Sequence, residues 1–203
     1  MTLLYRITHI ENLSGLLERG CDCSPNFAKT HGITKRAISH KDIMDKREQA
    51  IIRVPPGGVV ADYVPFYFGP KSPMLYAIKQ GKVEGYQGQR EIIYLVTTAE
   101  AIVDRQIPFM FTDGHAIISY VGHYNRMEDL PKVHWNIIKA PYWNDFVDGR
   151  CRRQAEFLVK ERFPMELVQE IGVKDEAMRQ RVENLLQDSV FQPLIRVRPE
   201  WYF

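Results

Sequence analysis

Residues 149–164 read GRCRRQAEFLVKERFP, with Arg150, Arg152 and Arg153 just ahead of Glu156, and Ala155, Phe157 and Leu158 around that carboxylate. Ala155, Leu158 and Val159 fall at near-helical spacing. AEFLV is equally a strand by composition, and so short an apolar run does not separate the two. On a helix surface Glu156 pairs with Arg152 or Arg153, an interaction worth a few tenths of a kcal/mol. A carboxylate among apolar groups is instead poorly solvated, and nearby arginines favour its charged form, which describes a base held ready for chemistry. On pattern alone the plain surface pair is the stronger reading.

Working outward, LVQEIGV (167–173) predicts a strand, and DEAMRQRVENLLQD (175–188) predicts an amphipathic helix with Met178, Val182, Leu185 and Leu186 inward. PLIRVRPEWYF (193–203) predicts a terminal strand. Upstream, EIIYLVTT (91–98) is the strongest strand in the chain, an apolar run of the length expected when both faces are buried, and AEAIVDRQ (99–106) follows as a short helix. PFMFTDGHA (108–116) reads as strand and turn, and 117–148 is aromatic-rich but irregular. Val64–Phe68 reads as a strand, and Ser72 with Pro73 starts a helix burying Met74, Leu75 and Ile78. LLYRIT (3–8) is a strand, after which Thr8 and Glu11 have capping-box spacing for a helix that buries Ile10, Leu13, Leu16 and Leu17 and ends at Gly20. From Cys21 to Gly58 the signal weakens to a long basic surface loop with one or two helical turns around 39–49. Strands and helices mix without a βαβ repeat, so the class is α+β.

A chain of 203 residues is most simply one domain, 1–203. Hydrophobic residues at 45% and charged residues at 26% are those of an ordinary globular protein. The net charge of +2 is too mild to announce a nucleic-acid binder in bulk, so any basic surface is local. No apolar run approaches the roughly 18–20 residues of a membrane span, and the start lacks a signal-peptide core, so a cytoplasmic location without membrane contact is expected. Three cysteines, two of them in C-x-C, and six histidines without an H-E-x-x-H spacing predict neither structural disulfides nor a metal.

The sequence has no G-x-x-x-x-G-K-[ST], G-x-G-x-x-G or G-x-S-x-G, which removes P-loop, Rossmann and nucleophile-elbow readings. What remains is a set of polar residues in apolar surroundings: His9, Arg47, Tyr67, His115 and Glu156. Each also has a plain reading, His9 as a core-edge histidine, Tyr67 with Phe68 as packing, and the arginines as a solvated face.

YRITHIENLSGLLERG, DYVPFYFGPKSPMLYAI, PFMFTDGHA, RRQAEFLV and the terminal WYF occur in the order and spacing of the DarT-type DNA ADP-ribosyltransferase toxins, which the chain resembles over nearly its whole length. The resemblance implies a compact ADP-ribosyltransferase fold with a split central β-sheet and an NAD-binding cleft. It also implies transfer of ADP-ribose from NAD to a base of single-stranded DNA, thymine or else guanine, without a metal. A monomeric toxin countered by a macrodomain antitoxin of the DarG type completes the expectation. Carried over by position, Glu156 and Arg47 resemble the catalytic pair. Thr8, His9, Asn12, Gly15, Tyr67 and Phe68, with Arg47, resemble the NAD contacts. Lys46, His115, Tyr120, Arg150, Arg152 and Arg153 would face DNA, with Tyr124 a further stacking candidate. RNA or protein as acceptor, and a non-enzymatic nucleic-acid-binding module, stand as alternatives.

Overall fold

The computed structural model describes residues 1–38 and 40–203. LLYRITH forms β1 (Leu3–His9), followed by α1 (Asn12–Arg19). The expected capping box is absent: Glu11 holds the N-cap position without a side-chain hydrogen bond, and Thr8, still in the strand, accepts from Asn12 Nδ2 at 3.0 Å. Gly20 ends the helix at φ 67°, a left-handed geometry that glycine adopts without a Cβ penalty.

The segment expected as a long surface loop holds three elements, β2 (Cys21–Cys23), α2 (Pro25–Thr30) and α3 (Lys41–Gln49). Apolar periodicity missed the first two because polar groups fix them. Asp22 is 1% exposed and bound by Arg6 at 2.9 Å and by Lys35. Ser24 caps α2 by accepting from the Phe27 N–H at 3.2 Å, with Pro25 in the first helical position.

β3 (Tyr63–Tyr67) leads to α4 (Pro73–Lys79), capped by Ser72 through the Leu75 N–H. β4 (Ile92–Thr98) is buried at every position, and Thr98 caps α5 (Ala99–Asp104). β5 (Phe109–Thr112), β6 (His123–Tyr124), α6 (Trp135–Lys139) and α7 (Gly149–Arg152) carry the chain into the arginine-rich stretch at 149–164. That stretch resolves as one helical turn followed by strands β7 (Glu156–Lys160) and β8 (Arg162–Pro164). β9 (Glu170–Val173), α8 (Glu176–Leu186) and β10 (Leu194–Val197) follow. Three expectations shift here. Leu167 belongs to a 3-10 turn rather than a strand, Leu185 is 38% exposed instead of inward, and the last strand stops at Val197, ahead of a 3-10 turn at Pro199–Trp201.

Among the described residues, eight strands form one sheet in the order β10-β9-β4-β1-β3-β7-β5-β6, with β9 and β10 parallel and the other pairs antiparallel, while β2 and β8 form a small second sheet. α1, α5 and α8 cover one face through Leu13, Leu16, Ile102 and Val182. Leu75 and Ile78 of α4, with Tyr86 and Tyr202, cover Tyr5, Ile7 and Tyr94 on the other. β1 pairs with β4 from Leu3↔Thr98 to His9↔Ile92, and β3 pairs with β7 from Tyr63↔Lys160 to Tyr67↔Glu156. β1 and β3 meet only at Tyr5↔Tyr67. Pro65 has no N–H to offer a ladder, so the two halves splay beyond that contact. This seam is the split of the central sheet.

Candidate active site

A cavity of about 760 Å³ opens where the seam splays, walled by Ile7 and Thr8 of β1, Pro65 and Tyr67 of β3, and Glu156 at the start of β7. That volume lies within the roughly 300–1,000 Å³ usual for small-molecule pockets. Among the described residues the walls carry seven cations, Arg6, Lys29, Lys35, Arg36, Arg47, Lys82 and Arg150, against two carboxylates, Asp148 and Glu156. Such a balance suits a polyanionic ligand such as a pyrophosphate.

Glu156 is 2% exposed, flanked in sequence by Ala155 and Phe157, both fully buried. None of the arginines just ahead of it reaches it. Its partner is Arg47 of α3, 109 positions away in sequence, whose Nη1 donates to both carboxylate oxygens at 3.0 Å. Arg47 is 6% exposed, and its Nη2 is buried with no hydrogen-bond partner among the described residues. A buried charged donor left unpaired costs about 1–3 kcal/mol or more, which a ligand oxygen in the cavity would recover.

Tyr67 is the cross-strand neighbour of Glu156, and burial, reinforced by the Glu156 carboxylate, pushes its phenol up, so it stays neutral. His115 lies in the wall, its backbone N–H donating to the Cys151 carbonyl at 3.0 Å. Burial pushes its imidazole down, opposed by Glu156 and assisted by Arg47, Arg150 and Lys46, so the neutral ring dominates at pH 7. Thr8 and Asn12 also line the cavity. The Asn12 amide accepts from the Arg36 N–H at 2.8 Å and donates to the Arg36 carbonyl at 2.9 Å, clamping the 33–38 segment over one side.

Of the other expected site residues, Arg150 stands in the cavity wall and the rest lie elsewhere. Phe68 turns into the opposite layer against Phe111, Trp135 and Phe157, since neighbouring strand positions point to opposite faces. The His9 ring is 1% exposed and outside the cavity wall, its Nδ1 accepting from the Glu11 N–H at 3.2 Å and its Nε2 3.4 Å from Glu91. Burial and Arg36 push it down against the pull of Glu11 and Glu91. Gly15 is within α1, where an added Cβ would meet Arg19 Nη1 at 2.8 Å, and does not line the cavity. Arg153 is 6% exposed, with Nη1 donating to the Ile137 and Ala140 carbonyls at 2.7 Å and Nη2 to Pro70, so it ties down the end of α6 rather than facing DNA. Arg152 pairs with Asp113 at 2.8 Å and Asp148 at 3.3 Å. Tyr120 is 62% exposed and donates to Asp148 at 2.9 Å, while Lys46 and Arg150 are exposed. Tyr124 packs on Phe111.

Thr112 is a residue that the sequence did not reveal. Fully buried beside β7, its hydroxyl accepts from the Glu156 N–H at 3.1 Å and donates to the Gly114 carbonyl at 2.6 Å, linking the carboxylate's backbone to the turn that carries His115. A threonine in FMFTDG reads as an ordinary strand residue, so only the fold exposes this link.

Residues 5–203 match the family described as ssDNA thymidine ADP-ribosyltransferase, DarT. A DNA ADP-ribosyl transferase of Thermus aquaticus is 43% identical over 205 residues, covering 100% of this chain and 89% of that protein. The structure of Thermus sp. 2.9 DarT in complex with ADP-ribosylated ssDNA superposes with a TM-score of 0.94 at 39% identity, covering 100% of this chain and 96% of that one. The same protein in complex with NAD+ gives 0.90 at 38% identity, with 100% and 98% covered.

Proposed function

The chain belongs to the DarT family of ssDNA thymidine ADP-ribosyltransferases, and from that premise we propose that it transfers ADP-ribose from NAD to thymine in single-stranded DNA, releasing nicotinamide. The observation that carries the assignment of roles is the buried Arg47–Glu156 pair, with its orphaned Arg47 Nη2, in a cation-walled cavity at the sheet seam.

NAD is here a substrate consumed in the reaction. As the bond from its ribose C1′ to nicotinamide breaks, the electron pair leaves on the nicotinamide nitrogen and positive charge develops on the ribose. Glu156 is the buried carboxylate in the wall, suited to hold the ribose hydroxyls and stabilise that charge. The thymine ring nitrogen gives its proton to the same carboxylate as its lone pair forms the new bond to C1′. Arg47 Nη2 is free to donate to a phosphate oxygen or to the thymine oxygen that gains charge, which a planar guanidinium does better than an ammonium. Tyr67 and Thr8 flank the nicotinamide ribose side, and Asn12 holds the 33–38 segment against the dinucleotide. Neutral His115 and exposed Arg150 face the incoming base and backbone.

Residues 1–203 act as one unit in this reading, supported by the sheet that joins β10 to β6 through β1 and β3. Incubation with labelled NAD and separate pools of single-stranded DNA, duplex DNA, RNA and protein tests the acceptor: label belongs in the single-stranded DNA pool, and label in protein or RNA alone would refute the reading. The family resemblance further supports a macrodomain antitoxin as partner. Co-expression of a hydrolase of that class should relieve toxicity in a bacterial host, and unrelieved killing would count against it.

A further inference from the structure

A second surface, outside the catalytic cavity, carries a charge pattern that the reaction centre does not use. Residues 63–83 and 130–144 contain no aspartate or glutamate, yet they supply Lys71, Lys79, Lys82, Lys132 and Lys139, of which Lys132 pairs with Asp129 just outside the segment. The fold brings these segments together. Lys71 and Lys79 each place Nζ 5.9 Å from the Phe203 ring, and Lys71 and Lys139 line one shallow depression with Trp135. Lys71, Lys79 and Lys139 have no carboxylate within 4.0 Å among the described residues, as is also true of Lys41, Lys46, Lys82 and Lys174, whereas Lys29, Lys35, Lys132 and Lys160 are paired.

Aromatic rings interleave with these ammonium groups. Tyr76, Trp143 and Phe203 pack edge to face at 5.1–5.8 Å, and Tyr142, next to Trp143, is 71% exposed. The surface adjoins the catalytic cavity through α4, whose Met74 and Ala77 line the cavity while Tyr76 and Lys79 belong to the patch, and Lys82 stands in the cavity wall. Unpaired cations for phosphates beside exposed rings for bases are what a single strand requires of a sequence-tolerant track.

We propose that this α4–α6 surface holds the nucleotides flanking the target base, so that the substrate strand leaves the cavity over α4 toward Lys71 and Lys139. The proposal rests on single-stranded DNA being the acceptor and adds the subsite that would favour strands longer than the target motif. It places the track on the α4 side of the target, where Met74, Ala77 and Lys82 line the cavity.

The test is fluorescence anisotropy with single-stranded oligonucleotides, one barely longer than the target and others extended on one side or the other, over a range of salt. It compares the wild type with Lys71→Ala/Lys79→Ala/Lys139→Ala and with Tyr142→Ala. The triple variant should bind the oligonucleotide extended on one side roughly tenfold or more weakly, with a salt slope smaller by about 2, at ~0.7 for each phosphate no longer neutralised. Tyr142→Ala should weaken the same oligonucleotide roughly fivefold or more. Binding of the short oligonucleotide and KM for NAD should stay at wild-type values. An unchanged affinity and slope for the extended strand, or an equal loss on the short one, would overturn the proposal. Lysine-dependent binding of extended strands without any transfer would support the surface while refuting the DNA-modifying activity.

Discussion

Glu156→Gln keeps the size of the side chain, removes its charge, and leaves Arg47 at 6% exposure facing a neutral amide. Unit charges ~4 Å apart attract by about 4 kcal/mol at an effective dielectric of ~20. Removing one member of a buried pair costs about 3–5 kcal/mol, because the other is left buried without a counter-charge. At ~2–4 °C per kcal/mol for a domain of this size, Tm should fall by about 6–20 °C. The amide still accepts one hydrogen bond, which places the glutamine variant toward the smaller end. Arg47→Met should fall similarly, since Glu156 is then the stranded charge. The double variant Arg47→Met/Glu156→Leu removes both desolvation costs at once and should recover most of the lost stability. Transfer should nevertheless drop by at least ~100-fold in all three, as expected when a group that stabilises developing charge is lost. Calorimetric melts paired with single-turnover transfer read both quantities. A double variant whose loss equals the sum of the singles, or a single variant with wild-type Tm and turnover, would refute the reasoning.

Thr112→Val removes the hydroxyl that bridges the Glu156 N–H and the Gly114 carbonyl; kcat should fall about tenfold with KM for NAD unchanged, Thr112→Ser should restore it, and a valine variant with normal kcat would contradict the positioning role. Burial alone pushes the Asp22 carboxyl up, but Arg6 and Lys35 more than offset this and bring it to about 2. Its folded value lies below the unfolded one, so it contributes roughly 2 kcal/mol that is present above about pH 4 and lost as pH falls toward 2; Asp22→Asn should flatten that acid limb, and an unchanged limb would count against the assignment. Arg153→Leu should lower Tm by several degrees with no change in the salt slope of DNA binding, whereas Arg150→Ala should spare Tm and reduce the slope by about 0.7; the reverse pattern would exchange their roles.

The sheet was legible where apolar runs are long and both faces are covered. EIIYLVTT became the fully buried β4, and the Ser72–Pro73 start of α4 followed from capping chemistry. Residues 21–30 were not legible because a buried charge cluster around Asp22, rather than periodicity, fixes β2 and its neighbours. AEFLV was ambiguous because the signal that decides it is non-local, the pairing of β7 between β3 and β5. In the site, the contact of Glu156 with Arg47 spans 109 positions, and no spacing rule encodes it. The arginines beside Glu156 misled for the opposite reason. Adjacency in sequence says nothing about direction, and Arg153 turns to the α6 carbonyls while Arg152 turns to Asp113 and Asp148. Strand alternation separates Phe68 from Tyr67 in the same way.

Intact-mass analysis of short single-stranded oligonucleotides, each lacking one base, after incubation with the protein and NAD tests the central claim most directly. The account predicts a gain of one ADP-ribose on every thymine-containing strand that presents the target, and none on the strands without thymine. NAD consumption with no mass gain on any strand would contradict it.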